Sequence, residues 1–112
     1  MINGVTILFA VSAVLGLTIL IRWLTKKQAS GAVIYSHGIV AAIALALLVV
    51  YAIQHPARFP KVSLLLFVLA ALGGFYMFVN DLRKKTSPLA IAFIHAMLAA
   101  GGLVALLVFA FV

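Results

Sequence analysis

Residues 37–52 read HGIVAAIALALLVVYA, and residues 95–110 read HAMLAAGGLVALLVFA. The second stretch repeats the first at an offset of 58 residues, with a histidine at the same position of each copy. The match continues upstream without a gap, where Gly16 pairs with Gly74. Histidine and glycine are rarer in this chain than Ala, Leu and Val, so these matches indicate an internal repeat. A repeat constrains the whole fold, because each copy is expected to form the same structural unit.

The composition indicates a membrane protein. Apolar residues make up 68% of the 112 residues, and the mean hydropathy is +1.38, whereas soluble domains are about 45–50% apolar. The length predicts a single transmembrane domain, residues 1–112, with repeat one at about 1–54 and repeat two at about 59–112. The absence of cysteine excludes disulfides, thiolate metal sites, iron–sulfur clusters and covalent haem attachment through cysteine.

Four apolar stretches have about the 20 residues that a helix needs to cross a bilayer. They are residues 5–24, 32–53, 62–79 and 88–112. The connections between them are short, which predicts an all-α, up-down transmembrane four-helix bundle built from two parallel-inserted helix-hairpin repeats. Pro88 suits the first turn of the fourth helix, with Ser87 as its N-cap.

Lysine and arginine are distributed unevenly among the connections. Six lie in or beside the first and third connections (Arg22, Lys26, Lys27, Arg83, Lys84 and Lys85), and two lie in the second (Arg58 and Lys61). Cytoplasmic connections are rich in basic residues, so the pattern predicts a multi-pass protein of the bacterial inner membrane with both termini outside. The net charge of +7 is therefore interpreted as a topology signal, with membrane lipid and no nucleic acid as partner.

His37 and His95 lie five to seven residues into their predicted helices, at matching depth near the cytoplasmic end. Small residues are expected around them: Ala41, Ala99 and Gly102 on the same helix faces, and Gly16 and Gly74 on the preceding helices. Such residues either let membrane helices approach closely or leave room for a flat cofactor, and both interpretations stay open.

A histidine in an apolar span is costly unless it is used. The simplest use is a hydrogen bond to a nearby carbonyl or hydroxyl, with Ser12, Thr18 or Ser36 as partner. The favoured interpretation is ligation of haem b, because iron accepts one imidazole on each face of the porphyrin and facing helices can supply both.

In that interpretation His37 and His95 are the metal ligands, and the small residues make room for the porphyrin. Arg22, with Lys26 and Lys84, lies at a suitable depth to pair with the propionates. A zinc or copper ion bound directly would need more ligands than two imidazoles.

A four-helix membrane domain with histidines paired across helices resembles the small b-type membrane cytochromes. The resemblance covers the whole chain in architecture and rests on His37, His95 and the glycines. It implies one haem b with both axial positions filled, and hence an electron carrier rather than an enzyme with an open catalytic site. A quinone or a redox partner protein is the expected exchange partner, and homo-oligomerisation stays open.

The third histidine departs from the di-haem members of that group, which carry two histidine pairs. His55 stands alone in a connection and is interpreted as an interfacial surface residue. Two alternatives stay open: a small proton-coupled transporter, and a cofactor-free accessory membrane subunit. Small multidrug exporters share this length, but they depend on a carboxylate in the first helix, whereas the only acidic residue here is Asp81.

Overall fold

The computed structural model describes all 112 residues and is entirely helical. Its helices are α1 (Ile2–Leu24), α2 (Gly31–Gln54), α3 (Lys61–Leu82) and α4 (Leu89–Phe111). Each is long and apolar enough to cross a membrane, and the four together measure 44 × 23 × 23 Å. The prediction of four helices of membrane-spanning length is confirmed, with helix ends within three residues of the predicted ones.

The connections after α1 and α3 begin with the same turn. Lys26 and Lys84 adopt left-handed φ values of 57° and 56°. In each case the N–H of the following lysine donates to a carbonyl in the last turn of the helix at 2.8 Å. This is the Schellman arrangement, which satisfies carbonyls that the helix end leaves unpaired. Lysines 58 residues apart therefore end the two helices in the same way.

The prediction that Ser87 caps α4 is wrong. Pro88 occupies the cap position with no side-chain hydrogen bond, and the Ser87 hydroxyl instead accepts a hydrogen bond of 3.2 Å from the Asn80 side chain. The side chain of Asn80, at the end of α3, thereby ties the two ends of the connection together. The start of α2 does have a side-chain cap, since the Ser30 hydroxyl accepts from the Val33 N–H at 3.2 Å.

Each helix packs beside two others. Contacts are most extensive between α1 and α2 and between α3 and α4, less so between α1 and α4, and least between α2 and α3. Helices α1 and α3, and likewise α2 and α4, are diagonal to each other and meet only through side chains. Large apolar side chains such as Leu72, Phe75 and Met97 are exposed on the outside, as expected of a surface that contacts lipid.

Residues 58 positions apart meet across these diagonals at three levels. The pairs are His37 with His95, Phe9 with Phe67, and Tyr51 with Phe109. The phenylalanine rings are stacked in parallel with centroids 3.8 Å apart, and they belong to the buried core together with Leu48 and Leu106. The middle of the bundle is thus a column of paired rings, with the two histidines in one of its layers.

Candidate functional site

His37 is half-buried on α2 and is held by α1. Its Nδ1–H donates to the Ser12 carbonyl oxygen at 2.8 Å, and the Ser12 hydroxyl oxygen lies 3.1 Å from the same nitrogen. The Ser12 hydroxyl in turn lies 3.4 Å from the His37 carbonyl oxygen, to which it donates. One residue of α1 therefore fixes both the ring and the backbone of His37.

His95 is held in the same way on the other side of the bundle. Its Nδ1–H donates to the Ala70 carbonyl oxygen of α3 at 2.7 Å. In both cases the acceptor lies 25 residues before the histidine. Ala70 is the counterpart of Ser12, but it has no hydroxyl, so His95 lacks the extra contacts that His37 makes. The two imidazoles share one anchoring geometry and differ by one hydroxyl.

The anchoring bonds decide which ring nitrogen is free. A carbonyl oxygen only accepts, so Nδ1 carries the proton in both rings, and Nε2 of the neutral ring keeps its lone pair. Neither Nε2 makes a hydrogen bond to the protein, and neither is a fully enclosed polar atom without a partner. His37 and His95 therefore each present an accessible nitrogen that can bind a metal or accept a proton.

The two rings meet across the bundle in a perpendicular, edge-type arrangement. Their centroids are 6.2 Å apart, and their planes cross at 87°. The stacked Phe9 and Phe67 rings bound this layer on the core side, since Phe9 precedes Ser12 by about one helical turn. Arg22 is exposed in the last turn of α1, on the opposite side of the layer from the phenylalanines.

Gly16 and Gly74 lie against the imidazoles. A β-carbon at Gly16 would come within 2.8 Å of the His37 Cε1, and one at Gly74 within 2.9 Å of the His95 Cε1. Real β-carbons do not approach other atoms so closely, so the glycines allow each ring to lie directly on the backbone of the neighbouring helix. Room for a porphyrin at these glycines stays a prediction; the group that the structure shows in contact with them is the imidazole.

The other small residues have different neighbours. Ala41 and Ala99 are half-buried, about one turn beyond the histidines. Gly102 is buried one level deeper, where a β-carbon would come within 2.9 Å of the Phe67 Cε1. The Gly102 carbonyl also accepts a 2.7 Å hydrogen bond from Ser63. Gly102 therefore contacts the Phe67 ring.

The chemistry of the site follows from its small number of ligands. No group of three or more His, Cys, Asp or Glu side chains comes together, and His55 is exposed at the end of α2, where its ring stacks on Tyr51 with centroids 4.2 Å apart. Two imidazoles are too few donors for a tetrahedral zinc ion, which needs four, so a metal held here would have to bring its other ligands with it.

Two functional features were missed by the sequence reasoning. A hydrogen bond from His37 to Ser12 was predicted and is confirmed, whereas the Ala70 carbonyl that anchors His95 was not among the predicted partners. The ring pair Phe9–Phe67 forms one wall of the layer, although in the sequence it was only a match between repeats. The constant offset of 58 residues could have predicted the Phe9–Phe67 pair, because equivalent residues of two repeats can meet at the axis that relates the repeats.

Relatives supply no residue roles for this site. Comparisons of the chain with protein-family models, with curated proteins and with solved structures find no match.

Proposed function

We propose that the protein is a membrane b-type cytochrome in which His37 and His95 are the axial ligands of one haem b. The supporting observation is a pair of imidazoles that meet across the bundle axis, each anchored through Nδ1 and each without a hydrogen bond at Nε2. A ligating imidazole nitrogen lies about 2 Å from its metal, so two imidazoles on opposite sides of one ion have ring centres about 6 Å apart. The observed separation is 6.2 Å. Bound haem b supplies a one-electron couple.

The backbone carbonyls tune and orient the two ligands. A hydrogen bond from Nδ1–H fixes the ring orientation and makes Nε2 a stronger donor to a metal. The Ser12 and Ala70 carbonyls provide this bond at 2.8 and 2.7 Å. A haem b held by both His37 and His95 would have no open position for oxygen or substrate, which favours electron transfer over oxygen chemistry.

The residues around the imidazoles set the boundaries of the site. Phe9 and Phe67 keep water away on the core side, and Gly102 acts through the position of the Phe67 ring. Ala41 and Ala99, half-buried about one turn beyond the histidines, would keep side-chain bulk small on the histidine-bearing faces. Arg22, at the end of α1, provides a cation for the propionates.

The position of the imidazoles limits the exchange partner. They lie toward the end of the bundle that carries most of the basic residues, so one haem there is poorly placed to move electrons across the whole membrane alone. We propose exchange with a quinone, or with a redox partner protein at that membrane surface.

The proposed architecture is an up-down bundle of two equivalent hairpins. It is supported by the ring pairs that meet across the bundle axis and by the identical turns at Lys26 and Lys84.

The membrane topology is a prediction of this proposal. The end of the bundle that contains Lys26 and Lys84 should face the cytoplasm, because basic residues are retained there. Alkaline phosphatase fused to the C-terminus should then be active, and green fluorescent protein fused there should be dark. The reverse pattern would contradict the orientation and would move the proposed haem to the outer leaflet.

Haem content tests the proposal itself. The chain expressed with haem supplied and purified in mild detergent should carry about one haem b per chain, measured as the pyridine haemochrome. One haem per chain is expected because the structure holds one pair of imidazoles that meet across the bundle axis. A colourless preparation with full helical content by circular dichroism would contradict the cytochrome proposal.

A further inference from the structure

The only acidic side chain, Asp81, lines an open, solvent-exposed cavity together with Lys84 and Lys85. This cavity, of about 480 Å³, opens between the first and third connections and is lined by Trp23, Gln28, Ala29, Gly31, Ile34, Asp81, Lys84, Lys85 and Thr86. None of its charged side chains forms an ion pair with another. The Asp81 carboxylate and the Lys84 and Lys85 ammonium groups thus line the same cavity, exposed to solvent and not paired with one another.

The position of the cavity narrows the class of ligand. It lies at the ends of α1 and α3 and the start of α2, where membrane-spanning helices reach the level of lipid headgroups. The two lysines, Lys84 and Lys85, can bind an anionic group such as a phosphate, and the Asp81 carboxylate can bind a cation. A single ligand that carries a phosphate and an ammonium group a few bonds apart can pair with Asp81, Lys84 and Lys85 together.

We propose that this cavity binds the phosphoethanolamine headgroup of a membrane lipid. Lys84 and Lys85 bind the phosphate, Asp81 binds the ammonium, and the acyl chains extend along the exposed apolar surface beside Leu24 and Leu82. This assignment does not use His37 or His95, and Asp81 and Lys85 have no part in the proposed haem site; only Lys84 was also considered as a partner of the propionates.

The internal repeat provides a matched control. Lys26 and Lys27 are the counterparts of Lys84 and Lys85, lie at the same end of the bundle, and follow a helix that ends with the same turn. The counterpart of Asp81, however, is Trp23, and neither Lys26 nor Lys27 lines the cavity. The pair Lys26→Gln with Lys27→Gln therefore removes the same charge without touching the proposed site.

Native mass spectrometry of the full chain with defined lipids tests the proposal. The natural sequence should retain phosphatidylethanolamine about two- to fivefold better than phosphatidylglycerol, the difference expected from one exposed ion pair to Asp81. Asp81→Asn should reduce this preference to about one, Asp81→Glu should restore it, and Lys84→Gln with Lys85→Gln should reduce retention of both lipids. The Lys26→Gln, Lys27→Gln control should behave like the natural sequence.

Three results would overturn the proposal. Equal retention of the two lipids by the natural sequence would exclude recognition of the ammonium group. If the Lys26→Gln, Lys27→Gln control lost as much lipid as the Lys84→Gln, Lys85→Gln variant, lipid retention would depend on the total positive charge at the membrane surface and not on this cavity. Soluble phosphoethanolamine that binds the lipid-free protein as tightly as the lipid does would assign the cavity to a soluble ligand.

Discussion

Alanine in place of His95 is expected to abolish the six-coordinate low-spin absorption spectrum and to lower haem affinity severely. Loss of an outer partner of a metal ligand alone costs about 10–100-fold in affinity, so loss of the ligand itself should cost more. His37→Ala should have the same effect, because the two imidazoles are anchored alike and lie 6.2 Å apart. The measurement is haem titration of the purified variants, followed by absorption spectroscopy.

His55→Ala is the control for these variants. His55 is exposed, and its Nδ1 bonds to the Tyr51 carbonyl at 3.0 Å, about 27 Å along α2 from His37. Its loss should leave the spectrum and the affinity unchanged. If His95→Ala kept the low-spin spectrum, a haem shared between His37 and His95 would be ruled out.

Leucine at Gly16 or Gly74 should strongly reduce haem occupancy while the chain still inserts as a helical protein. Even a β-carbon there would lie 2.8 or 2.9 Å from the imidazole, so a leucine must push the ring away from its anchoring carbonyl. Overpacking of this kind typically costs about 1–3 kcal/mol. Alanine should be milder, because the ring needs to move by a smaller distance. The haem-to-protein ratio and the circular dichroism of each variant measure the two effects separately.

Gly38→Leu separates this effect from the general consequences of adding a side chain. Gly38 follows His37 directly, but a β-carbon there would have nothing within 4 Å. Haem occupancy should therefore stay at the level of the natural sequence. Full occupancy in both Gly16→Leu and Gly74→Leu would show that these glycines do not position the haem ligands.

The sequence predicted the helices well because their signals are local. Length and hydropathy set the spans, and the paired lysines mark the ends of α1 and α3. Gly16 and Gly74 were predicted to lie beside the histidines because each glycine and its histidine are about equally many residues from the turn that joins their helices. The structure shows this contact. Counting works here because rise per residue is constant along a helix.

The rotation of each helix could not be predicted in the same way. The helices are apolar around their whole circumference, so no polar stripe indicates the face that turns inward. Gly102 does turn inward, as its seven-residue spacing from His95 predicted, but it lies two turns deeper in the bundle, where its neighbour is Phe67. The cap prediction at Ser87 failed because its hydroxyl is engaged by Asn80, a contact across a connection that no local pattern indicates.

The electron paramagnetic resonance spectrum of the ferric protein tests the central claim most directly. The His37 and His95 rings cross at 87°, and their anchoring carbonyls hold them in that orientation. Ferric haem between two perpendicular imidazoles gives a strongly anisotropic low-spin signal, and that is the predicted spectrum. A high-spin signal, or no haem signal from a folded protein supplied with haem, would contradict ligation by His37 and His95.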